Sequence, residues 1–207
     1  MSTKKKNSKE KSFKRTILEW LGIAAVLGIL FITGLHTEVL GTIQRAVLWT
    51  GLFDADARKI TTVNGPVLSE RTYNLTFSTP EGNQVRLEDF KGKVLFINIW
   101  ASWCPPCVAE MPTIETLYNS VSGNENIKFL LISMDEKNEK ATDFMKNKGF
   151  SMPYYFPISG LPRVFQSRYI PSTYVISKEG KVIYKKEGIA DYSSRQFENW
   201  LIEQSKK

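Results

Sequence analysis

Hydrophobic positions change their spacing three times along the 207-residue chain. From Ile17 to Leu35, "ILEWLGIAAVLGILFITGL", they are almost continuous, with Glu19 the only charge. At ~1.5 Å per residue a helix of that length crosses a hydrocarbon core. A cleaved signal peptide or a buried soluble helix would share the pattern. The Ala-x-Ala-like sequence Ala55-Asp56-Ala57 lies about twenty residues too far along for cleavage, so an uncleaved anchor is expected. Val39 to Phe53, "VLGTIQRAVLWTGLF", is also apolar but short for a second span and contains Arg45. It suits a helix at a membrane surface, with Trp49 and Phe53 at the interface, or one packed on a soluble domain. "DADARKITTVNGP" then reads as a linker, broken at Asn64-Gly65-Pro66.

From Thr72 onward the spacing is that of short strands and amphipathic helices. "TYNLTF" alternates, "STPEGNQ" supplies turn residues and "VRLEDF" returns, which predicts a hairpin. "VLFINIW", Val94 to Trp100, reads as a strand buried on both faces and interrupted only by Asn98. A helix is predicted from Pro105 to Val121, with Ile114, Leu117, Tyr118 and Val121 on one side and a bend at Pro112. "IKFLLISM", Ile127 to Met134, gives a second buried strand, and Asp135 is placed to cap a helix running to Lys148 and stopping at Gly149. After a loop-rich passage, "STYVIS" and "KVIYKKE" flank "KEG" as a second hairpin, and a last helix near Ser194 to Gln204 buries Phe197, Trp200 and Leu201. This order predicts an α/β sheet covered on both faces. The 136 residues from Thr72 suffice for one such domain.

Charge sharpens the picture of the N-terminus. The formal charge is +7, but residues 1–16 carry Lys4, Lys5, Lys6, Lys9, Lys11, Lys14 and Arg15 against Glu10, leaving 21 basic and 20 acidic residues elsewhere. A nearly neutral body argues against a nucleic-acid partner, which would call for basic residues across the folded surface. A basic end before an apolar span places that end in the cytoplasm and the rest of the chain outside. The expected organisation is a basic tail (1–16), a transmembrane anchor (17–35), a membrane-proximal helix and linker (36–68) and a folded domain (69–207).

The only two cysteines, Cys104 and Cys107, lie in "ASWCPPCVAEMP". A disulfide closing so small a loop restricts the unfolded chain very little, so fold stapling explains it poorly. The single histidine, His36, is remote, and no metal-ligand set is completed. Chemistry between the two sulfurs remains, or an accident of spacing. Cys104 would sit at a helix start, where amides and the helix dipole favour a thiolate, with Cys107 one turn deeper. Pro105 and Pro106 lack amide hydrogens, which leaves Cys107 N–H as the obvious donor to Cys104 and predicts moderate acidification. Glu110 falls on the same face as Cys107. Buried, it could take the proton Cys107 must lose; exposed, it would be an ordinary helix glutamate.

Trp103-Cys104-Pro105-Pro106-Cys107 with Glu110, Met111 and Pro112, after the strand "VLFINIWAS", together with Ile170-Pro171-Ser172-Thr173 downstream, resembles the membrane-tethered TlpA/ResA-like thiol–disulfide oxidoreductases of the thioredoxin superfamily. Asn98 stands where thioredoxin itself has a buried aspartate, which agrees with that branch. The resemblance covers about Thr72 to the C-terminus and leaves 36–68 untouched. It implies a thioredoxin-like α/β fold, a central mixed sheet flanked by helices with an extra N-terminal β-hairpin, behind an N-terminal transmembrane helix. It further implies a cis Pro171 against the cysteine pair, with Trp103, Ile170 and Pro171 meeting the substrate and Glu110 handling protons. No cofactor is implied. The expected partners are exported proteins with disulfides, cytochrome c maturation among the settings, and a membrane thiol protein as electron donor. A peroxidase would need a cysteine in another setting. A tethered metal chaperone or docking module without redox turnover is the non-enzyme alternative, weakened by the missing third soft ligand.

Overall fold

The computed structural model describes residues 19–26, 28 and 62–207. The expected basic tail, most of the expected anchor and residues 36–61 lie outside them. Residues 19–26 and 28 are helical. Among the described residues no helix is long and apolar enough to cross a membrane.

Seven strands form one mixed sheet: β1 (Thr76–Ser78), β2 (Gln84–Arg86), β3 (Val94–Trp100), β4 (Ile127–Ser133), β5 (Tyr154–Pro157), β6 (Ser172–Ile176) and β7 (Val182–Glu187). Their order across the sheet is β2-β1-β5-β4-β3-β6-β7. β3, β4 and β5 run parallel, while β6 lies antiparallel to β3 and β1 antiparallel to β5. The three long helices are α1 (Pro105–Val121), α2 (Asn138–Lys148) and α3 (Arg195–Lys206).

Side chains alternate across a strand, so a strand buried on both faces divides its residues between two cores. In β3, Val94, Phe96 and Trp100 join one apolar cluster, and Leu95, Ile97 and Ile99 the other. Asn98 has the parity of Phe96 and Trp100. The sequence pattern therefore aims this one polar residue at the face that also receives Met111 of α1, Met145 of α2 and Phe197 of α3. Phe96 stacks on Phe129 at 4.8 Å and meets Tyr192 edge-on at 5.2 Å, which stiffens the floor under α1.

Both faces of the sheet are covered, as expected: all three long helices deliver buried residues to one, and Leu68, Tyr73, Leu87 and Phe165 from short turns and loops cover the other. Other elements depart from expectation. Thr72 and Tyr73 are not strand: Ser69 Oγ accepts from Thr72 N at 3.2 Å and caps a one-turn helix, Glu70–Tyr73. Only the first part of "VRLEDF" is strand, because Asp89 accepts from Arg86 N at 2.8 Å and winds Leu87–Phe90 into a 3-10 turn. The loop-rich passage hides β5, four residues edged by Pro153 and ending in Pro157. Asp135 does not cap α2; that helix starts after Lys137, and Asp135 is buried elsewhere. It ends as expected at Gly149, whose φ of 68° suits a residue without Cβ.

Candidate active site

The chain leaves β3 at Trp100 and turns at Ala101–Trp103 before entering α1. Cys104 is the N-cap, with extended backbone (φ −94°, ψ 104°), and Pro105 and Pro106 occupy the first helical positions. Proline tolerates those positions because their amides would go unpaired in any case. The first amide free to turn back is that of Cys107, which donates to Cys104 Sγ at 3.3 Å. Cys104 and Cys107 are joined as a disulfide with Cα atoms 5.3 Å apart. Cys107 is fully buried and Cys104 is 4% exposed, so the outer sulfur is less open than its place at a helix start suggests. The Ile170–Pro171 peptide is cis, and the Ile170 carbonyl oxygen lies 3.7 Å from Cys104 Sγ. Trp103 is about half exposed beside the pair.

One turn inside α1, Glu110 is completely buried. Asn98 Nδ2 donates to Glu110 Oε1 at 2.8 Å and to Thr173 Oγ1 at 3.0 Å, and Ala190 N donates to Glu110 Oε2 at 3.2 Å. The parity of β3 and the pairing of Asn98 with Thr173 across β3 and β6 put these groups under the helix. Burial raises the Glu110 carboxyl from its usual 4.5 to about 8, against the smaller opposing pull of the Asn98 and Ala190 hydrogen bonds and the Lys186 charge. Tyr192 is pushed well above its ordinary value, first by burial and then by the charge of Glu110. The arrangement can hold a proton near neutrality behind a disulfide whose outer sulfur faces a peptide carbonyl. Among the described residues no cluster of three or more His, Cys, Asp or Glu side chains could hold a metal ion.

The structure thus brings Cys104, Cys107, Pro105, Pro106, Glu110, Ile170 and Pro171 together, with Trp103 at the rim. It adds a support that the sequence reading missed. Asp135 accepts from Ser102 N at 2.9 Å, Ser102 Oγ at 2.6 Å and Ser133 Oγ at 2.9 Å. Trp100 pairs with Ser133 in the parallel register, so the ends of β3 and β4 deliver the two loops side by side. Asp135→Ala is expected to cost about 2–3 kcal/mol by orphaning the Ser102 donors, read as a lower denaturant midpoint at unchanged slope.

A thioredoxin-type sheet presenting a C-x-x-C disulfide at a helix start, against a cis-proline loop, defines a dithiol–disulfide exchange protein. The Redoxin family model matches residues 68–199, and the chain belongs to that family. It is 30% identical over 129 residues to the thiol-disulfide oxidoreductase ResA of Bacillus thuringiensis subsp. konkukian, covering 62% of this chain and 73% of that one. ResA of Bacillus anthracis is 28% identical over 158 residues, covering 74% and 84%. The crystal structure of StoA from Bacillus subtilis superposes with a TM-score of 0.52 at 22% identity, covering 60% of this chain and 93% of StoA. The activity is therefore thiol–disulfide oxidoreduction.

Proposed function

We propose that this enzyme works as a reductant of disulfides in exported proteins, apocytochromes c among them, on the outer side of a membrane in which residues 17–35 anchor it. The observation that carries the reductive direction is the poverty of donors at Cys104. With Pro105 and Pro106 following, its sulfur receives one backbone amide among the described residues, that of Cys107. A thiolate held by one amide is only moderately stabilised, and a dithiol that is not strongly stabilised gives up its electrons more readily. The anchor is supported by residues 19–26, a helical stretch that leaves the apolar Trp20, Leu21, Ile23 and Val26 exposed.

In the proposed cycle the Cys104 thiolate attacks one sulfur of the substrate disulfide and expels the other as a thiolate, giving a mixed disulfide. Cys107 passes its proton to the Glu110 carboxylate and attacks Cys104 Sγ. The Cys104–Cys107 disulfide forms and the second substrate sulfur leaves as a thiolate, so two electrons have moved to substrate. Trp103 and the Ile170 backbone flank the incoming polypeptide, Ile170 by strand-like pairing beside cis Pro171. A membrane thiol protein then returns two electrons by the same exchange run against the Cys104–Cys107 bond.

The test is the reduction potential of the couple, equilibrated against glutathione and thioredoxin standards. A reductant is expected below about −200 mV; a value near −120 mV, that of a strong periplasmic oxidant, would reverse the assigned direction.

A further inference from the structure

Two adjoining cavities, one of them reaching Ile170 beside the cysteine pair, are not used by the sulfur chemistry. The nearer, about 270 Å³, is walled by Ile99, Met134, Leu161, Phe165 and Ile170 and is largely apolar. The farther, about 620 Å³, is lined by Arg71 and Arg163 together with Ser69, Asn74 and Ser159. Gly160 and Gln166 line both, so the two cavities adjoin. Ile170 closes the track at its near end, with its carbonyl oxygen 3.7 Å from Cys104 Sγ.

The far cavity has a one-sided charge. No carboxylate lines it. Glu70, next in sequence to Arg71, is drawn away to Lys91 at 2.8 Å. Neither Arg71 nor Arg163 has a side-chain hydrogen bond or ion pair among the described residues. A guanidinium stays charged at any working pH, and a concave wall holding two of them concentrates positive potential. Its planar fork matches a carboxylate better than a chloride or a neutral amide. The hydroxyl and amide side chains around the two arginines supply further donors.

We infer that this track is a specificity surface for the substrate polypeptide: its chain runs from Cys104 over the apolar cavity and places an acidic side chain between Arg71 and Arg163. The inference rests on the reading of the enzyme as a reductant of protein disulfides and adds to it the class of substrate, one with a carboxylate outboard of its reactive cysteine. An extended segment advances about 3.3 Å per residue, so one distance from the cysteine fits best and others miss.

The test uses the full-length enzyme, reduced beforehand and followed in a single turnover, so that no electron donor is needed. Its substrates are disulfide-containing peptides in which a glutamate is walked outward from the cysteine, each matched by the peptide with glutamine. For the best position the ratio of second-order rates, glutamate over glutamine, is expected to be about tenfold, to fall as salt is raised, and to collapse to about one in Arg71→Gln/Arg163→Gln. Because the ratio is read within each protein, a variant that folds less well slows both peptides and leaves the ratio readable. A wild-type ratio of one at every position, or a preference that survives both substitutions, overturns the inference while leaving the reductase reading standing. Failure of the reduced enzyme to reduce either peptide series overturns the reductase reading, and the inference with it.

Discussion

Cys107→Ala is expected to turn a catalyst into a trap. The variant keeps Cys104 with its helix-start setting, attacks a substrate disulfide once and stays bound to it, because no second thiol can displace the captured sulfur. Turnover should fall by at least about a thousandfold, the scale on which loss of a covalent-catalysis partner is felt. Covalent adducts should appear on non-reducing gels and vanish with dithiothreitol. Cys104→Ser should lose turnover to the same degree yet yield no adducts, since Cys107 is fully buried and presents no sulfur to a partner. This asymmetry separates an attacking from a resolving thiol. Equal trapping by both variants, or by neither, would show that the assigned order is wrong. Expressed in cells, the trapping variant also reads the compartment: adducts made of exported proteins support the outer location, and adducts made only of cytoplasmic proteins reverse it.

Much of this site is legible in the sequence, for reasons that differ by residue. Cys104, Pro105, Pro106 and Cys107 are contiguous, so helix-start geometry follows from the local rules of capping and proline placement. The burial of β3 could be read from seven residues with a single polar interruption. What that interruption does could not be, because the partners of Asn98 are Glu110, twelve positions on, and Thr173, seventy-five positions on. The Glu110 environment is likewise closed by Ala190, eighty positions away. Asp135 failed in the opposite manner. An acid before a polar helical run is a sound cap signal, but the parallel pairing of β3 with β4 offers it Ser102 and Ser133, and three hydrogen bonds, one buried and two part-buried, outweigh one cap. β5 was hidden because a four-residue segment that follows Pro153 and ends in Pro157 has no periodicity to detect; its strand character comes from β1 and β4 on either side. The concentration of long helices on one face is equally non-local, since amphipathic spacing shows that a helix has an apolar side and not which side of the sheet will receive it.

Glu110→Gln should separate proton handling from packing, because it keeps the shape and removes the charge. In the wild-type disulfide form the carboxyl titrates at about 8, against 4.5 for the unfolded chain. Between those values the folded state holds a proton that the unfolded state releases, so stability falls as pH rises from about 4.5 through 8 and then levels off. The full loss is on the order of 5 kcal/mol. Glutamine cannot ionise, and its curve should lack that fall. At pH 5 the variant should be the weaker protein by about 1 kcal/mol, since its amide N–H₂ meets the Ala190 N–H that Glu110 Oε2 now accepts. At pH 9 it should be the more stable by several kcal/mol, and the two curves should cross between, as measured by denaturant unfolding of the oxidised proteins. Catalysis should move the other way. Release of the mixed disulfide by Cys107 needs a base, and losing one typically costs 10²-fold or more. The wild-type resolution rate should climb with pH and flatten near 8, whereas the variant should show no inflection there and a mixed disulfide that persists about a hundredfold longer. A structural role alone would shift stability without touching the pH profile of resolution, so a variant that keeps the wild-type inflection would remove Glu110 from the chemistry.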